Sequence, residues 1–364
     1  MSAPSAPPEN ARDAISWADA GREQQFAKWL ARVAAERRLA PATLRIASAD
    51  ASFRRYFRID GRFGTSFIMM DAPPDKEDCK SFVKVAGLMA AAGLNVPSVF
   101  EWDEKQGFLL LSDLGTKTMI DALDRENADS NRELFLSAVD GLVAWQLSSK
   151  RGALPPYDRE LLMRELQLFP DWYVAKHRGI PVEGKLRETL DATFALIVDQ
   201  NLASAAVYVH RDYMPRNLML PRDPADPRLG VLDFQDAVQG PITYDIASLL
   251  RDAFVSWDEE FVLDITIRYW QKAMKSHLPV NADFGEFYRA VEWMALQRHL
   301  KVAGIFARLT LRDGKPKYLA DAPRFIKYIR TTAARYRELT PLLRALDAIE
   351  GVTAPAAYSF GRIE

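Results

Sequence analysis

The sequence predicts an α+β fold in two lobes, a small mostly antiparallel β-sheet followed by a larger helical part. Three observations carry that prediction. β-rich runs flank Asp60 and Gly61, a dipeptide suited to a tight hairpin turn. From residue 118 onward, long stretches repeat their apolar residues at helical spacing. The texture changes near Asp113, Leu114 and Gly115, so strands come first and helices after, which is the order of an α+β arrangement.

The elements follow in chain order. The first eight residues, MSAPSAPP, are rich in Pro, Ser and Ala, and residues 1–20 are expected to form a flexible tail. Residues 22–38 read as a helix because Phe26, Leu30 and Val33 fall at i, i+4 and i+7, with Trp29 thickening the stripe and Pro41 setting a boundary. TLRIA (43–47), FRRYFRI (53–59) and SFIMM (66–70) read as strands, the last two joined by DGRFG. Residues 76–92 are helical, with Cys79, Phe82, Val83, Ala86 and Met89 on one face, Gly93 as the stop and Pro97 beyond it. SVFEW (98–102) and FLLL (108–111) complete the sheet. The N-terminal lobe is therefore 21–115, with a hinge at 111–115, and the helical lobe is 116–364. In that lobe, helices are predicted over 130–149, 158–176, 184–203, 244–255, 258–276, 283–307 and 323–347. Short strand-like runs interrupt them around 206–209, 217–220 and 229–232.

Composition narrows the function. Lys+Arg (48) nearly balance Asp+Glu (49) over 364 residues, so no net field favours nucleic acid or an anionic membrane. The single cysteine, Cys79, excludes an intrachain disulfide, and the four histidines lack any H-E-x-x-H spacing, which disfavours zinc. The N-terminus has no apolar signal region, and no window approaches the ~18 apolar residues of a membrane span. A cytoplasmic monomer acting on a small molecule is the expectation.

One stretch concentrates chemistry. In VYVHRDYMPRNLML (207–220), apolar β-formers bracket HRDYMPRN, which fits H-R-D-x-x-x-x-N, the catalytic-loop pattern of phosphotransferring kinases. Four fixed residues match by accident in a chain of this length with a chance of roughly 0.002. Beyond Asn217, the apolar strand of VLDFQD ends in Asp233. A phosphoryl group in flight carries dispersed negative charge, so the protein must position and neutralise it. Asn217 and Asp233 supply oxygens of the kind Mg²⁺ takes, and Asp212 can orient the acceptor hydroxyl and accept its proton. Each also has a plainer reading, Asp212 and Asn217 as turn residues and Asp233 as a strand-end residue. His210 reads as a buried residue that hydrogen-bonds the loop backbone.

With these residues in place, the chain resembles the aminoglycoside phosphotransferase family, small-molecule kinases with a protein-kinase-like fold. LLSDLG (110–115) resembles the family's hinge, and YDIASLL (244–250) resembles its helix after the metal aspartate. RELQLFPDWY (164–173), RDYMPRNLM (211–219), DFQDAVQGP (233–241) and QRHLKVAGIF (297–306) resemble more narrowly the anomeric kinases of N-acetylmuramate and N-acetylglucosamine in bacterial cell-wall recycling. The resemblance implies ATP and Mg²⁺, an amino-sugar acceptor phosphorylated at C1, and adenine contacts at Ser112, Asp113 and Leu114. It also implies a phosphate loop at SADAS, from Ser48 to Ser52.

The pattern is broken in two respects, the first being that the phosphate loop SADAS has no glycine. Kinases of this kind carry a strand lysine paired with a helix glutamate. Here SFIMM has no lysine, and the helix after it offers only Glu77 at its start. Arg55 is the candidate replacement, with Arg54 and Arg58 on the opposite face of the strand. For the sugar, Glu165 and Trp172 are candidates, although Tyr173 reads as core by its spacing with Leu166 and Phe169. Arg216, Arg298 and Lys301 are candidate partners for a lactyl carboxylate. Two alternatives stay open: another kinase of the family, acting on an aminoglycoside, choline or another amino sugar, and a nucleotide-binding pseudokinase that transfers nothing.

Overall fold

The computed structural model describes residues 15–17, 19–48, 53–223 and 225–352. Most of the expected tail and residues 49–52 of the phosphate loop, Ser52 among them, lie outside these. In chain order the first elements are α1 (Ala20–Arg37), β1 (Ala40–Ser48), β2 (Arg55–Asp60), β3 (Ser66–Asp71), α2 (Cys79–Ala91), β4 (Val99–Asp103) and β5 (Phe108–Ser112). Next come α3 (Arg132–Leu147), α4 (Arg159–Leu166), α5 (Gly184–Leu202), β6 (Ala206–Val209), β7 (Leu218–Met219), β8 (Gly230–Val231) and β9 (Val238–Pro241). The last are α6 (Tyr244–Leu250), α7 (Glu259–Lys275), α8 (Phe284–Leu311), α9 (Ala322–Arg335) and α10 (Thr340–Glu350). The chain divides into two compact units.

The first unit comprises the chain up to Lys117 together with Met219–Asp236. Its sheet is antiparallel in the order β1-β2-β3-β5-β4. Alternation along the strands sends Phe57, Ile59, Met69, Phe108 and Leu110 to one face, where they pack with Phe26, Trp29 and Val33 of α1. The Phe26 and Phe57 rings lie 5.2 Å apart, and Trp29 and Phe108 lie 5.3 Å apart. Each such side chain contributes about 1.5–3 kcal/mol by its burial. The hairpin between β2 and β3 closes with the Gly61 N–H on the Thr65 carbonyl at 2.9 Å. Its positive φ angles fall at Phe63 (55°) and Gly64 (73°), after the Asp60–Gly61 pair that announced it.

Helix α2 starts three residues later than its apolar pattern suggested, because Asp78 caps it by accepting the Lys80 N–H at 2.8 Å. Its buried face carries Val85 where the sequence reading placed Val83. Val85 lies three residues from Phe82 and shares its face, whereas Val83 is one residue on and turned about 100° away.

The second unit comprises Thr118–Leu218 and Ala237–Glu364. The 28-residue α8 runs through its core, with Trp293, Leu296 and Leu300 fully buried. The helix expected over 158–176 is interrupted: α4 stops at Leu166 and a π-helical segment, Phe169–His177, continues. Pro170 removes a backbone donor there, which the wider turn accommodates. Gly304 of α8 allows this segment to approach, since a Cβ at that position would lie 2.3 Å from the Leu168 backbone. The helix expected over 323–347 likewise breaks at Tyr336, whose backbone is extended, and Pro341 sits in the first turn of the helix that follows, giving α9 and α10. β6 pairs antiparallel with β9, a strand the sequence reading did not identify. Among the described residues, no helix is long and apolar enough to cross a membrane.

Candidate active site

In the second unit, the loop from His210 to Asn217 leaves the end of β6 and is fixed from beneath by Asp245, the second residue of α6. Its Oδ2 accepts the His210 N–H at 2.7 Å and its Oδ1 the Arg211 N–H at 3.0 Å. That clamp supports an uncommon backbone, because Arg211 has φ of 79°, a conformation costing about 1–3 kcal/mol for a residue with a Cβ. Asp245 is fully buried, and burial pushes its carboxyl upward. The His210 ring, also fully buried, accepts the Asp212 N–H on Nδ1 at 3.2 Å, the backbone-supporting role that its sequence context predicted. Tyr213 donates its hydroxyl proton to the Ala138 carbonyl at 2.7 Å and pins the loop from the other side. Asn217 closes the loop: its N–H reaches the Met214 carbonyl and its Nδ2 the Asp212 carbonyl, both at 2.9 Å.

Beside this loop lies a buried cluster of charge. Glu165 accepts from Arg211, from the Tyr157 hydroxyl, from Lys301 Nζ at 2.9 Å and from Gln297 Nε2 at 3.2 Å. Burial alone would push the Glu165 carboxyl up, but the Lys301 and Arg211 cations outweigh it and hold the group at about 2. Lys301 also reaches the Tyr244 hydroxyl at 3.2 Å. Arg298 donates to the Arg211 carbonyl at 2.7 Å, and its guanidinium sits 4.8 Å from the centre of the Tyr244 ring. Burial opposes the charge on Arg298 and Lys301, while Tyr244 and the nearby Asp212 carboxylate favour it.

In the first unit, Asp233 follows the short strand β8 with φ of 62°, and Gln235 Nε2 donates to its Oδ1 at 2.9 Å. The next residue, Phe234, lies against Phe82 of α2 with ring centres 4.8 Å apart. The segment 112–115 is organised by the Asp113 carboxylate, which accepts from Arg58 Nε (2.7 Å), Ser66 Oγ (2.6 Å) and the Gly115 N–H (2.9 Å). Burial would raise this carboxyl, but Arg58, Ser66 and Gly115 prevail and lower it. Ser112 Oγ accepts the Ser98 N–H at 2.8 Å. Leu114 lies over Gly230, where a Cβ would come within 2.9 Å of its side chain.

The family comparison agrees with this geometry: residues 43–280, more than half of the chain, match the model of the phosphotransferase enzyme family. The chain belongs to that family. The N-acetylmuramate/N-acetylglucosamine kinase of Pseudomonas aeruginosa is 52% identical over 85% of this chain and 89% of its own length. A protein of the same name from Neisseria meningitidis serogroup B is 49% identical over 91% of this chain and 96% of its own. Among solved structures, the amicoumacin kinase hAmiN, in complex with AMP-PNP and Ca²⁺, has a TM-score of 0.57. It shares 15% identity, and the match covers 84% of this chain and 95% of that one. The α+β, protein-kinase-like fold expected from the sequence is thus the fold of this phosphotransferase.

Within the phosphotransferase, Glu165, Arg298 and Lys301 come together around Arg211, next to Asp212. Trp172 instead lies beneath Lys176, whose Nζ is 3.6 Å from its ring centre. Arg216 lies 4.8 Å from the Phe254 ring. Tyr173 is core, stacked on Phe169 at 5.3 Å, as its helical spacing indicated. Ser48 ends β1 opposite Tyr56. Arg55, expected at the nucleotide phosphates, is instead committed to Asp71, with Nε at 3.0 Å and Nη2 at 2.5 Å, and lies 3.7 Å from the Trp17 ring on the α1 face. Sequence reasoning missed Asp245, Arg211, Tyr157, Tyr244 and Arg58. Asp245 left a trace as the one acid in the otherwise uncharged YDIASLL, whereas the tyrosines left none.

Proposed function

We propose that this phosphotransferase is an ATP-dependent kinase of the anomeric C1 hydroxyl of N-acetylmuramate and N-acetylglucosamine, working in the cytoplasm in cell-wall recycling. The relatives that share about half of its residues over most of its length bear that name. The observation that carries the chemistry is the clamped loop. Asp245 fixes the backbone on which Asp212 stands, and Asn217 holds the Asp212 carbonyl.

In this reading Asp212 orients the sugar hydroxyl and takes its proton as the phosphoryl group arrives. Asn217 and Asp233, both hard oxygen donors, would hold Mg²⁺, which when bound neutralises phosphate charge. The hinge at Ser112, Asp113 and Leu114 would receive the adenine, and the loop between Ser48 and Ser52 the phosphates. Arg298 stands near Asp212 as a partner for an anionic acceptor group, while Glu165 and Lys301 hold Arg211 and the loop. Trp172 and Arg216 would serve the acceptor from further out.

The test is turnover measured by coupled ADP release with each sugar. Asp212→Asn should lower it about 10³-fold or more while leaving the thermal transition in place. Unchanged turnover would remove the proposal. Activity on the reducing sugar but not on its 1-O-methyl glycoside assigns C1 as the site of attack. Stabilisation by ATP without ADP release across both sugars would favour a nucleotide-binding protein that transfers nothing.

A further inference from the structure

The first unit contains a cation that the functional reading has not used. Strand β3 carries no lysine, yet its register shows where one would stand. Tyr56 pairs with Met70 and Arg58 with Ile68, so Arg54, Tyr56, Arg58, Ile68 and Met70 share one face of the sheet. Phe57, Ile59 and Met69 share the other, against α1. On the first face Met70 is fully buried and apolar, and Arg58 is engaged by Asp113 and the Gly115 carbonyl. Arg54, which directly precedes β2, makes a different contact. Its Nε and Nη2 both reach Glu77 Oε2, at 3.1 and 2.9 Å, and the two side chains are only 12% and 13% exposed.

Glu77 immediately precedes Asp78, the cap of α2, and Phe82 in the first turns of that helix lies against Phe234, the residue after Asp233. One helix therefore links the Arg54–Glu77 pair to the segment that presents Asp233. A carboxylate just ahead of a helix here pairs with a cation at a strand end, the same pairing of charges as a strand lysine with a helix glutamate. A guanidinium carries its donors in a planar fork, and that fork matches phosphate oxygens better than an ammonium does.

We infer that Arg54, clasped by Glu77 ahead of α2, grips the nucleotide's α- and β-phosphates in place of a strand lysine. The assignment rests on the reading of the chain as an ATP-dependent kinase. It makes Glu77 a positioning residue, which sets the angle of the guanidinium and, through α2, couples phosphate binding to the segment that carries Asp233.

The experiment compares ADP with adenosine, which differ only in the two phosphates. Dissociation constants for both, with Mg²⁺ present, are measured for the wild type, Arg54→Met, Arg54→Lys and Glu77→Gln, alongside each ligand-free melting temperature. In Arg54→Met, ADP should bind about tenfold more weakly or worse, since charge-assisted hydrogen bonds are lost, while adenosine stays within about twofold. Arg54→Lys should recover part of the loss, and Glu77→Gln should weaken ADP severalfold while raising KM for ATP.

A role confined to tethering α2 would lower the melting temperature of these variants and leave the ratio of ADP to adenosine affinity as in the wild type. That result overturns the assignment. If Arg54→Met does not fold, the same ratio in Arg54→Lys and Glu77→Gln decides. A wild-type chain that binds neither ADP nor adenosine removes the kinase reading and this assignment with it. A wild type that prefers ADP, with variants that prefer it equally, removes the assignment alone.

Discussion

Two buried carboxylates, one in each unit, gather two cations apiece, and they do different work. Asp71 accepts from Arg22 and Arg55; Glu165 accepts from Arg211 and Lys301. Locally the chemistry is the same: an anion without solvent and two cations that offset its burial. The difference lies in what each cation is attached to. Arg22 and Arg55 belong to α1 and β2, so the Asp71 cluster joins a helix to the end of two inner strands and packs against Trp17. Arg211 belongs to the loop that carries Asp212, and its carbonyl is also the anchor for Arg298. A buried ion pair says little about function by itself; the backbone to which the pair is tied says more.

The largest expected effect follows from removing the second anion. Glu165→Ala leaves Arg211 and Lys301 buried without a counter-charge, which should cost about 3–5 kcal/mol. It should also lower kcat by about 10²-fold, because the left-handed Arg211 backbone loses a side-chain support. Asp71→Asn should cost less, about 1–3 kcal/mol, since the Arg55 side chain is 34% exposed and can be hydrated, and its kcat should stay within about twofold. Urea unfolding and ADP-coupled turnover check both. Equal loss of kcat in the two variants would break the distinction between the clusters.

Acid sharpens the same comparison. The folded Glu165 carboxyl is held at about 2, below its ordinary value near 4.5. Its contribution is therefore fully present above about pH 5 and is lost as pH falls from there toward 2, on the order of 3 kcal/mol in all. The urea midpoint of the wild type should fall over that window. Glu165→Gln, which cannot be protonated there, should start lower and show a flatter acid limb. A wild-type limb no steeper than that of the variant would mean that Glu165 is not the group whose charge matters.

These clusters also show what a linear reading could and could not reach. The loop from His210 to Asn217 stood out because H-R-D-x-x-x-x-N is local, and the sheet was legible because β2, β3 and β5 alternate or run apolar throughout. Asp245 was not, because its partner His210 lies 35 residues away and only the fold brings the two together. Arg55 was half legible. Strand parity put it on the face opposite Arg54 and Arg58, but its partner depends on register, and register sets Asp71 directly across from it. The break at Pro170 and the one at the extended Tyr336 lay inside patterns whose apolar spacing continued past them, so one helix was read where the backbone makes two segments.

The smallest expected effect separates neighbouring arginines. Arg55→Gln removes one of the two cations on Asp71 and its stacking on Trp17, yet Arg22 remains with Nε at 2.9 Å and Nη2 at 2.6 Å. The loss should be about 1 kcal/mol. KM for ATP should stay within about twofold, because the side chain lies on the α1 face with Phe57, away from the face that carries Arg54. Arg54→Met, one residue earlier, should raise the same KM about tenfold. Because a one-residue step in a strand reverses the side chain's face, the ratio of the two KM values reports which face meets the phosphates. A larger KM change in Arg55→Gln than in Arg54→Met would return the phosphates to the α1 face and move the Asp71 cluster from scaffold to site.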